Sequence, residues 1–321
     1  MAESIGLIER AAALLKQREA TERGRAAPPA EPSSPRVAAD LVEDAQRGAG
    51  GAAAHAAEDG PGLGPELILD RGQLASHGIT LPSSERSRTV EEFRLIKRNL
   101  MAAGAQGNAA GAHRRSRSIM VTSSRPGEGK TFIALNLALA FASEREVKAL
   151  LVDLDTQHST LQKILGIAGQ RGIVDVLGGH ADLAEVLLRT NLPNFLVLPA
   201  GLGGPHVPEL LSSRQMAALL GEMTQRYPDR IIILDTPPCM ASSDAATLAP
   251  LVEQVVFVVE ANRTQQEEIE TGLSLLSGCP QISLLLNKSD LTTEHFGSYG
   301  YGYHYPGGGG DELRSDRPAP A

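Results

Sequence analysis

Residues 118–131 read Ser118-Ile119-Met120-Val121-Thr122-Ser123-Ser124-Arg125-Pro126-Gly127-Glu128-Gly129-Lys130-Thr131, and an apolar stretch from Phe132 to Phe141 follows. Ser118 to Thr122 has the apolar run of a strand buried on both faces, and the stretch after Thr131 reads as a helix. Strand, glycine-containing loop and helix therefore stand in the order of a phosphate-binding loop. Such a loop turns its backbone N–H groups, and those of the helix N-terminus, onto phosphate oxygens; Gly127 and Gly129 permit this by lacking a Cβ. Lys130 is placed to reach β- and γ-phosphates and the Thr131 hydroxyl to coordinate Mg²⁺. Ser124 replaces the first glycine of the usual pattern, and the Gly-Lys-Thr end is intact. The candidate nucleotide-binding residues of this segment are Ser124, Arg125, Pro126, Gly127, Glu128, Gly129, Lys130, Thr131 and Phe132.

Working outward, further apolar runs occur at Ala149–Asp153, Phe195–Leu198, Arg230–Asp235, Gln254–Val259 and Ile282–Leu286, with amphipathic helical spans between them. Continuous Val, Ile and Leu runs separated by helices predict an α/β fold of the P-loop NTPase type, a doubly wound, mostly parallel sheet with helices on both faces. Ligands of such sheets bind at the carboxyl ends of the strands. Two runs end there in acid. Ile231-Ile232-Ile233-Leu234-Asp235 closes on a carboxylate suited to hold Mg²⁺. In Leu150-Leu151-Val152-Asp153-Leu154-Asp155 the two aspartates are two residues apart, so on an extended strand they share a side and can both face the γ-phosphate and metal. Strand-end solubility or helix capping would also explain the pair.

Beyond this region the order changes. Residues 1–20 place Ile5, Ile8, Ala12 and Leu15 on one stripe of an amphipathic helix, which could rest on its own domain or dock a partner. Residues 21–64, rich in Ala, Gly and Pro, read as a flexible linker, because they cannot bury enough apolar area to offset their ordering entropy. The domain proper is expected over 65–290, with a helical pattern at 89–101 and a loose stretch from Ala102 to His113. Residues 291–321 read as a disordered tail. Four of the five tyrosines, Tyr299, Tyr301, Tyr303 and Tyr305, fall there among Gly297, Gly300 and Gly302. That alternation fits either a low-complexity segment or a set of acceptors.

Bulk properties exclude some functions. The 321 residues are 42% hydrophobic, enough for a large core, and carry a net charge of −8, which argues against a general nucleic-acid binder. Cys239 and Cys279 are too far apart to chelate and frame no disulfide scaffold, so a reducing cytosol is the expected setting. Glu3 and Glu9 interrupt any signal-peptide core, and no run of about 18 apolar residues occurs. A soluble chain reaching a membrane only through a partner is expected. The eight histidines are scattered, with no HExxH or cysteine cluster to suggest a metal other than Mg²⁺.

Three carboxylates around one phosphate loop suit phosphoryl transfer, where positioning and charge neutralisation provide most of the catalysis. A phenol, with a pKa of about 10, needs a carboxylate near the attacking oxygen to orient it and take its proton. Asp153 is the candidate base, with Lys130 and Asp155 beside it in the catalytic set, and Thr131, Asp155 and Asp235 in the metal set. Each added phosphate would bring roughly −1.5 to −2 charges to the tail.

These residues resemble those of the bacterial tyrosine kinases, in particular the autokinases of exosortase-linked exopolysaccharide systems. The resemblance covers about residues 65–305, with the N-terminal helix also familiar. It rests on the modified Walker A loop Ser124–Thr131, the Walker A′ strand ending in Asp153 and Asp155, the Walker B segment Asp235-Thr236-Pro237-Pro238 and the tyrosine cluster. Supporting stretches are Gly172–Leu177, Leu198-Pro199-Ala200-Gly201 and Pro208–Ser213. The resemblance implies an ATP- and Mg²⁺-dependent cytoplasmic autokinase that assembles into a homo-oligomeric ring, phosphorylates a neighbour's tail in trans and regulates exopolysaccharide length or export. It also implies activation, at the inner face of the plasma membrane, by a membrane chain-length determinant protein, the polysaccharide co-polymerase. Glu91, Arg94 and Lys97 occupy the places of the family's ring-contact motif, and positions i, i+3 and i+6 span roughly 120° of a helix, so they can share one face. A solvated charged face is the plainer reading. Lys97 departs from the family's Arg and lacks its planar fork; Gln157 likewise stands where Walker A′ usually has Arg.

Other readings remain. Asn287-Lys288-Ser289-Asp290 matches the guanine-reading Asn-Lys-x-Asp motif, but the Asp-x-x-Gly that GTPases need is replaced by Asp235-Thr236-Pro237-Pro238; ATP is favoured, with Asn287 near the adenine edge. A partition or division-site ATPase shares the fold, but would carry an early Lys-Gly-Gly where Ser124-Arg125-Pro126 stands. A scaffold that binds nucleotide without tyrosine transfer is the third reading.

Overall fold

The computed structural model describes residues 64–81, 87–107, 117–144, 146–204 and 206–289. The expected N-terminal helix, the expected linker apart from Gly64, and the tyrosine-bearing tail lie outside the described residues. The chain divides into two units, 1–288 and 289–321, and the fold below is that of the first.

Eight strands form one sheet: β1 (Glu66–Leu67), β2 (Ser118–Ser123), β3 (Lys148–Asp153), β4 (Leu188–Thr190), β5 (Phe195–Leu198), β6 (Arg230–Asp235), β7 (Gln254–Glu260) and β8 (Ile282–Asn287). Their order is β1-β4-β5-β3-β6-β2-β7-β8. Every pair is parallel except β4 and β5. The principal helices are α1 (Arg71–Ser76), α2 (Arg88–Gly107), α3 (Lys130–Ala142), α4 (Arg214–Arg226) and α5 (Gln266–Leu275). No helix among the described residues is long and apolar enough to cross a membrane.

The continuous apolar runs have a clear cause. Side chains alternate between faces of a strand, and here each face has its own core. Ala149, Leu151, Ile231, Ile233, Ile119 and Val121 pack with α1, α2 and α3. Leu150, Val152, Ile232, Leu234, Met120 and Phe257 pack on the other side with α4 and α5. Both faces being dry, there is no polar position for alternation to show. Helix α3 is the most enclosed of these helices: Ile133, Ala134, Leu135, Leu137, Ala138, Leu139 and Phe141 are all buried. Its N-terminus is thereby fixed at the carboxyl end of β2.

The supporting stretches meet in space. Ile173 N donates to Pro199 O at 2.9 Å and Val174 N to Ala200 O at 3.1 Å. Gly172 is required at that crossing, since a Cβ would lie 2.1 Å from Pro199 O. Ser213 ends the Pro208–Ser213 stretch by capping α4, its hydroxyl accepting from Met216 N at 3.3 Å.

Two expectations about local structure are corrected. The helix expected over 89–101 runs from Arg88 to Gly107, taking in part of the stretch read as loose. Ala102, Ala103 and Ala105 are strong helix formers, and extending an existing helix needs no new nucleus. Strand β4 was absent from the sequence reading: three residues with one buried side chain display no period. It is held instead by its antiparallel pairing with β5.

Candidate active site

The phosphate loop joins β2 to α3 through two glycines in the left-handed region, Gly127 at φ 86° and Gly129 at φ 96°. Gly129 meets a second demand, because a Cβ there would lie 2.1 Å from Asn287 Nδ2. That amide donates to Glu128 O at 2.8 Å, so the end of β8 braces the loop from outside. Asn287 is thus engaged with the loop backbone. Lys288 beside it donates to Gly127 O at 2.7 Å and pairs with Glu260 at 3.2 Å.

The loop's own Glu128 is buried and fully used. Its carboxylate accepts from Arg125 N at 2.7 Å and, by a very short contact, from the Thr264 hydroxyl. Arg125, exposed like Pro126, pairs through Nε with Glu268, whose other oxygen accepts from Gln265 N at 2.9 Å at the start of α5. Ser124 is buried and its hydroxyl donates to Glu268 O at 3.4 Å. Phe132 turns its ring away to meet Phe93 of α2 edge-on at 6.0 Å, which leaves its backbone as the part nearest the loop.

On the opposite side stand the three predicted aspartates. β3 and β6 are adjacent and in register, with Asp153 and Asp235 as partners, and Leu154 N donates to Asp235 O at 2.8 Å. β6 is tied to β2 in turn: Thr236 N and Oγ1 donate to Val121 O, Thr122 Oγ1 to Pro237 O and Cys239 N to Ser123 O. These bonds set the carboxylates against the loop. Asp153, Asp155, Asp235, Lys130 and Thr131 are all buried. Lys130 Nζ lies 2.6 Å from Asp155 Oδ2, an ion-pair distance without the approach angle of a hydrogen bond. Asp155 Oδ1 faces His158, with Nδ1 at 2.9 Å and the backbone N at 3.2 Å.

The electrostatics divide the three acids. Burial raises Asp153 well above the ordinary carboxylate range, reinforced by Asp235, while the bond from Asp155 N and the charge of Lys130 oppose it. Burial pushes Asp235 up to about 7 against the pull of Lys130 and the nearby Thr131 hydroxyl. For Asp155, burial acts upward too, but Lys130, aided by His158, outweighs it and holds the carboxyl below its usual value. Asp153 Oδ2 and both oxygens of Asp235 are buried without a directed hydrogen-bond partner. Desolvated acids of this kind are uncommon outside functional sites.

Some expected groupings differ. Glu91, Arg94 and Lys97, expected to share one face of the helix, differ in exposure. Glu91 and Arg94 pair with each other at 2.5 Å and are about half exposed. Lys97 is buried, with Nζ donating to Ala140 O at 3.1 Å and pairing closely with Glu144. One further step of three beyond Arg94 carries position 97 around α2 toward α3, where a lysine can lay down its stem and reach a carbonyl. The candidate acceptors Tyr299, Tyr301, Tyr303 and Tyr305 lie outside the described residues. His158, Thr264 and Glu268 were missed by the sequence reading. Their contacts are long-range or depend on a turn, and no motif spacing marks them.

Cys239, buried behind the Walker B segment, has its thiol pushed up to about 11 by desolvation, with the Glu128 charge adding to the effect.

The site can be set beside known proteins. Residues 116–275 match a family model described as an AAA domain. The chain is 35% identical over 185 residues to the tyrosine-protein kinase CpsD of Streptococcus pneumoniae serotype 4, an alignment covering 56% of this chain and 79% of that protein. It is 29% identical over 237 residues to the tyrosine-protein kinase YwqD of Bacillus subtilis, covering 73% of this chain and 96% of YwqD. The crystal structure of the VpsO kinase domain aligns with a TM-score of 0.51 at 32% identity, covering 62% of this chain and 99% of that one. With its phosphate loop, paired Walker A′ aspartates and Walker B aspartate on that same framework, the chain belongs to the family of bacterial tyrosine-protein kinases.

Proposed function

We propose that the chain is an ATP-dependent protein-tyrosine autokinase whose acceptors are Tyr299, Tyr301, Tyr303 and Tyr305, modified between copies assembled in a ring. The observation that carries this reading is the set of three buried aspartates around Lys130, with Asp153 Oδ2 and Asp235 lacking directed partners. An acid raised by burial is a stronger base once ionised than an exposed one.

The residues fit Mg²⁺. Thr131, Asp155 and Asp235 offer hard oxygen donors, and the orphaned Asp235 oxygens have the electronegative character a small divalent cation takes. No cluster of three or more His, Cys, Asp or Glu in metal-holding geometry occurs among the described residues. Mg²⁺ is commonly held by one or two carboxylates together with phosphate oxygens and water. When bound, Mg²⁺ neutralises phosphate charge.

The chain's own residues account for the remainder. The loop from Gly127 to Thr131 binds the phosphates through backbone N–H groups, and Lys130 leaves Asp155 to meet the β- and γ-phosphates. Asp153 orients the phenol and takes its proton while the phenol oxygen bonds to the γ-phosphorus and the bond to the β-bridging oxygen breaks, releasing ADP. Repeated phosphorylation adds roughly −1.5 to −2 charges per tyrosine, which separates neighbouring tails and so resets the assembly. In this reading a membrane chain-length determinant protein activates the kinase at the inner face of the plasma membrane, and the output is control of exopolysaccharide length.

The test is phosphosite mapping after incubation with Mg-ATP. The parent should be labelled in the tail, and a variant with all four tail tyrosines changed to Phe should lose most of the label but still bind nucleotide. Mixing that variant with Lys130→Met chains should label the latter, as transfer between copies requires. Label on Tyr227, which is buried beneath Arg226 and Arg230, would overturn the acceptor assignment.

A further inference from the structure

The two oxygens of Asp155 have different partners. Oδ2 lies 2.6 Å from Lys130 Nζ. Oδ1 faces one residue twice, with His158 N at 3.2 Å and His158 Nδ1 at 2.9 Å. Facing a carboxylate, Nδ1 must carry a hydrogen. The imidazole is 41% exposed, so packing alone does not hold it over a buried acid.

A tight turn brings it there. Ser159 N donates to Asp155 O at 3.3 Å, Ser159 takes the left-handed conformation at φ 49° and ψ 32°, and the His158 carbonyl accepts from Lys163 Nζ at 3.3 Å. A left-handed serine is uncommon, and this one folds the chain back over the carboxylate it has just left. Gln157, the residue before, points to solvent.

We propose that His158 is a positioning residue of the phosphoryl-transfer site: its two N–H groups fix the plane of the Asp155 carboxylate, so that Oδ2 keeps facing the phosphate pocket when Lys130 swings away to the nucleotide. The proposal rests on the reading of Asp155 as part of that site and deepens it. Lys130 cannot supply the restraint, since it is the partner that must leave. A carboxylate held on one oxygen presents the other in a single direction, as outer-shell partners do for ligands of metals and phosphates.

Three substitutions test this. In His158→Asn the amide nitrogen takes the place of Nδ1; in His158→Gln it lies one bond further out, at the place of Nε2; in His158→Phe the ring remains without a donor. Three quantities are read: the Mg²⁺-dependent gain in affinity for a fluorescent ATP analogue, and kcat and KM for phosphotyrosine formation. The Gln and Phe variants should lose about tenfold in each of that gain and kcat, with affinity in the absence of Mg²⁺ and the melting temperature unchanged. The Asn variant should stay within about threefold of the parent. Equal losses in all three, or no loss in His158→Phe, would overturn the proposal. Should His158→Phe fail to fold, the Asn and Gln pair decides alone. If the parent forms no phosphotyrosine, the kinase reading fails, while the Mg²⁺-dependent binding still decides the role of His158.

Discussion

The two sides of the phosphate loop treat buried acid in opposite ways. On the α5 side Glu128 is enclosed and its carboxylate is occupied by Arg125 N and the Thr264 hydroxyl. On the β3 and β6 side Asp153 and Asp235 are enclosed just as completely, yet Asp153 Oδ2 and both Asp235 oxygens have no directed partner. A satisfied carboxylate fixes a loop, whereas an unsatisfied one is costly to the resting protein and is relieved by something that binds. The contrast separates the loop's scaffold from its chemistry without reference to any motif.

The contrast can be broken at several points. The largest effect is expected for Lys130→Met, which removes the only cation seen against Asp155 Oδ2 among the described residues. Phosphotyrosine formation should fall below detection by immunoblot while the fold survives, as judged by circular dichroism. Next comes Asp235→Asn. The carboxyl is raised from 3.8 to about 7 in the folded protein, so the folded state binds the proton more tightly than the unfolded chain. Stability from that proton is complete below 3.8 and is lost as the pH rises through about 7. The amide has no proton to lose, so Asp235→Asn should outlast the parent at pH 8 and lose that advantage at pH 4. At 1.36 kcal/mol per unit the swing is up to about 4 kcal/mol, read from urea midpoints at the two pH values. Because Asp235 also raises Asp153, relief of that repulsion acts in the same direction.

On the scaffold side the sign reverses. Glu128→Ala strands the Arg125 N–H and the Thr264 hydroxyl, and should cost about 1–3 kcal/mol at every pH between 6 and 8, measured by the same denaturation. The smallest effect belongs to Arg94→Ala. Its pair with Glu91 is about half exposed, and loss of such a pair changes monomer stability by less than about 1 kcal/mol. Sedimentation of that variant separates any role in assembly from this small intramolecular term.

Much of this was legible in the residues. β2, β3, β5, β6 and β7 announced themselves because each is buried on both faces, β8 at the sheet edge showed through its apolar run alone, being only partly buried beyond Ile282, and the spacing of Asp153 and Asp155 placed two acids at one strand end. The loop's glycines stood where backbone must approach a ligand. What could not be read is what distance in sequence conceals. Glu128 meets Thr264 across 136 positions and Asn287 reaches the loop across 159. Lys97 shows another limit, since helical spacing alone does not say which side of α2 is covered. His158 shows a third, because its bond to Asp155 depends on one left-handed serine, a conformation that Ser159 does not advertise.

The burial of the two thiols has a practical consequence. Cys239 is buried with a pKa of about 11, and Cys279 is buried with its Sγ directed to the Gln281 carbonyl at 3.3 Å. Near neutral pH Cys239 is overwhelmingly in its unreactive protonated form and both thiols are shielded from large electrophiles. A single cysteine introduced on the surface would therefore take a maleimide dye selectively in the otherwise unaltered protein, giving a fluorescent probe with which the proposed assembly can be tested.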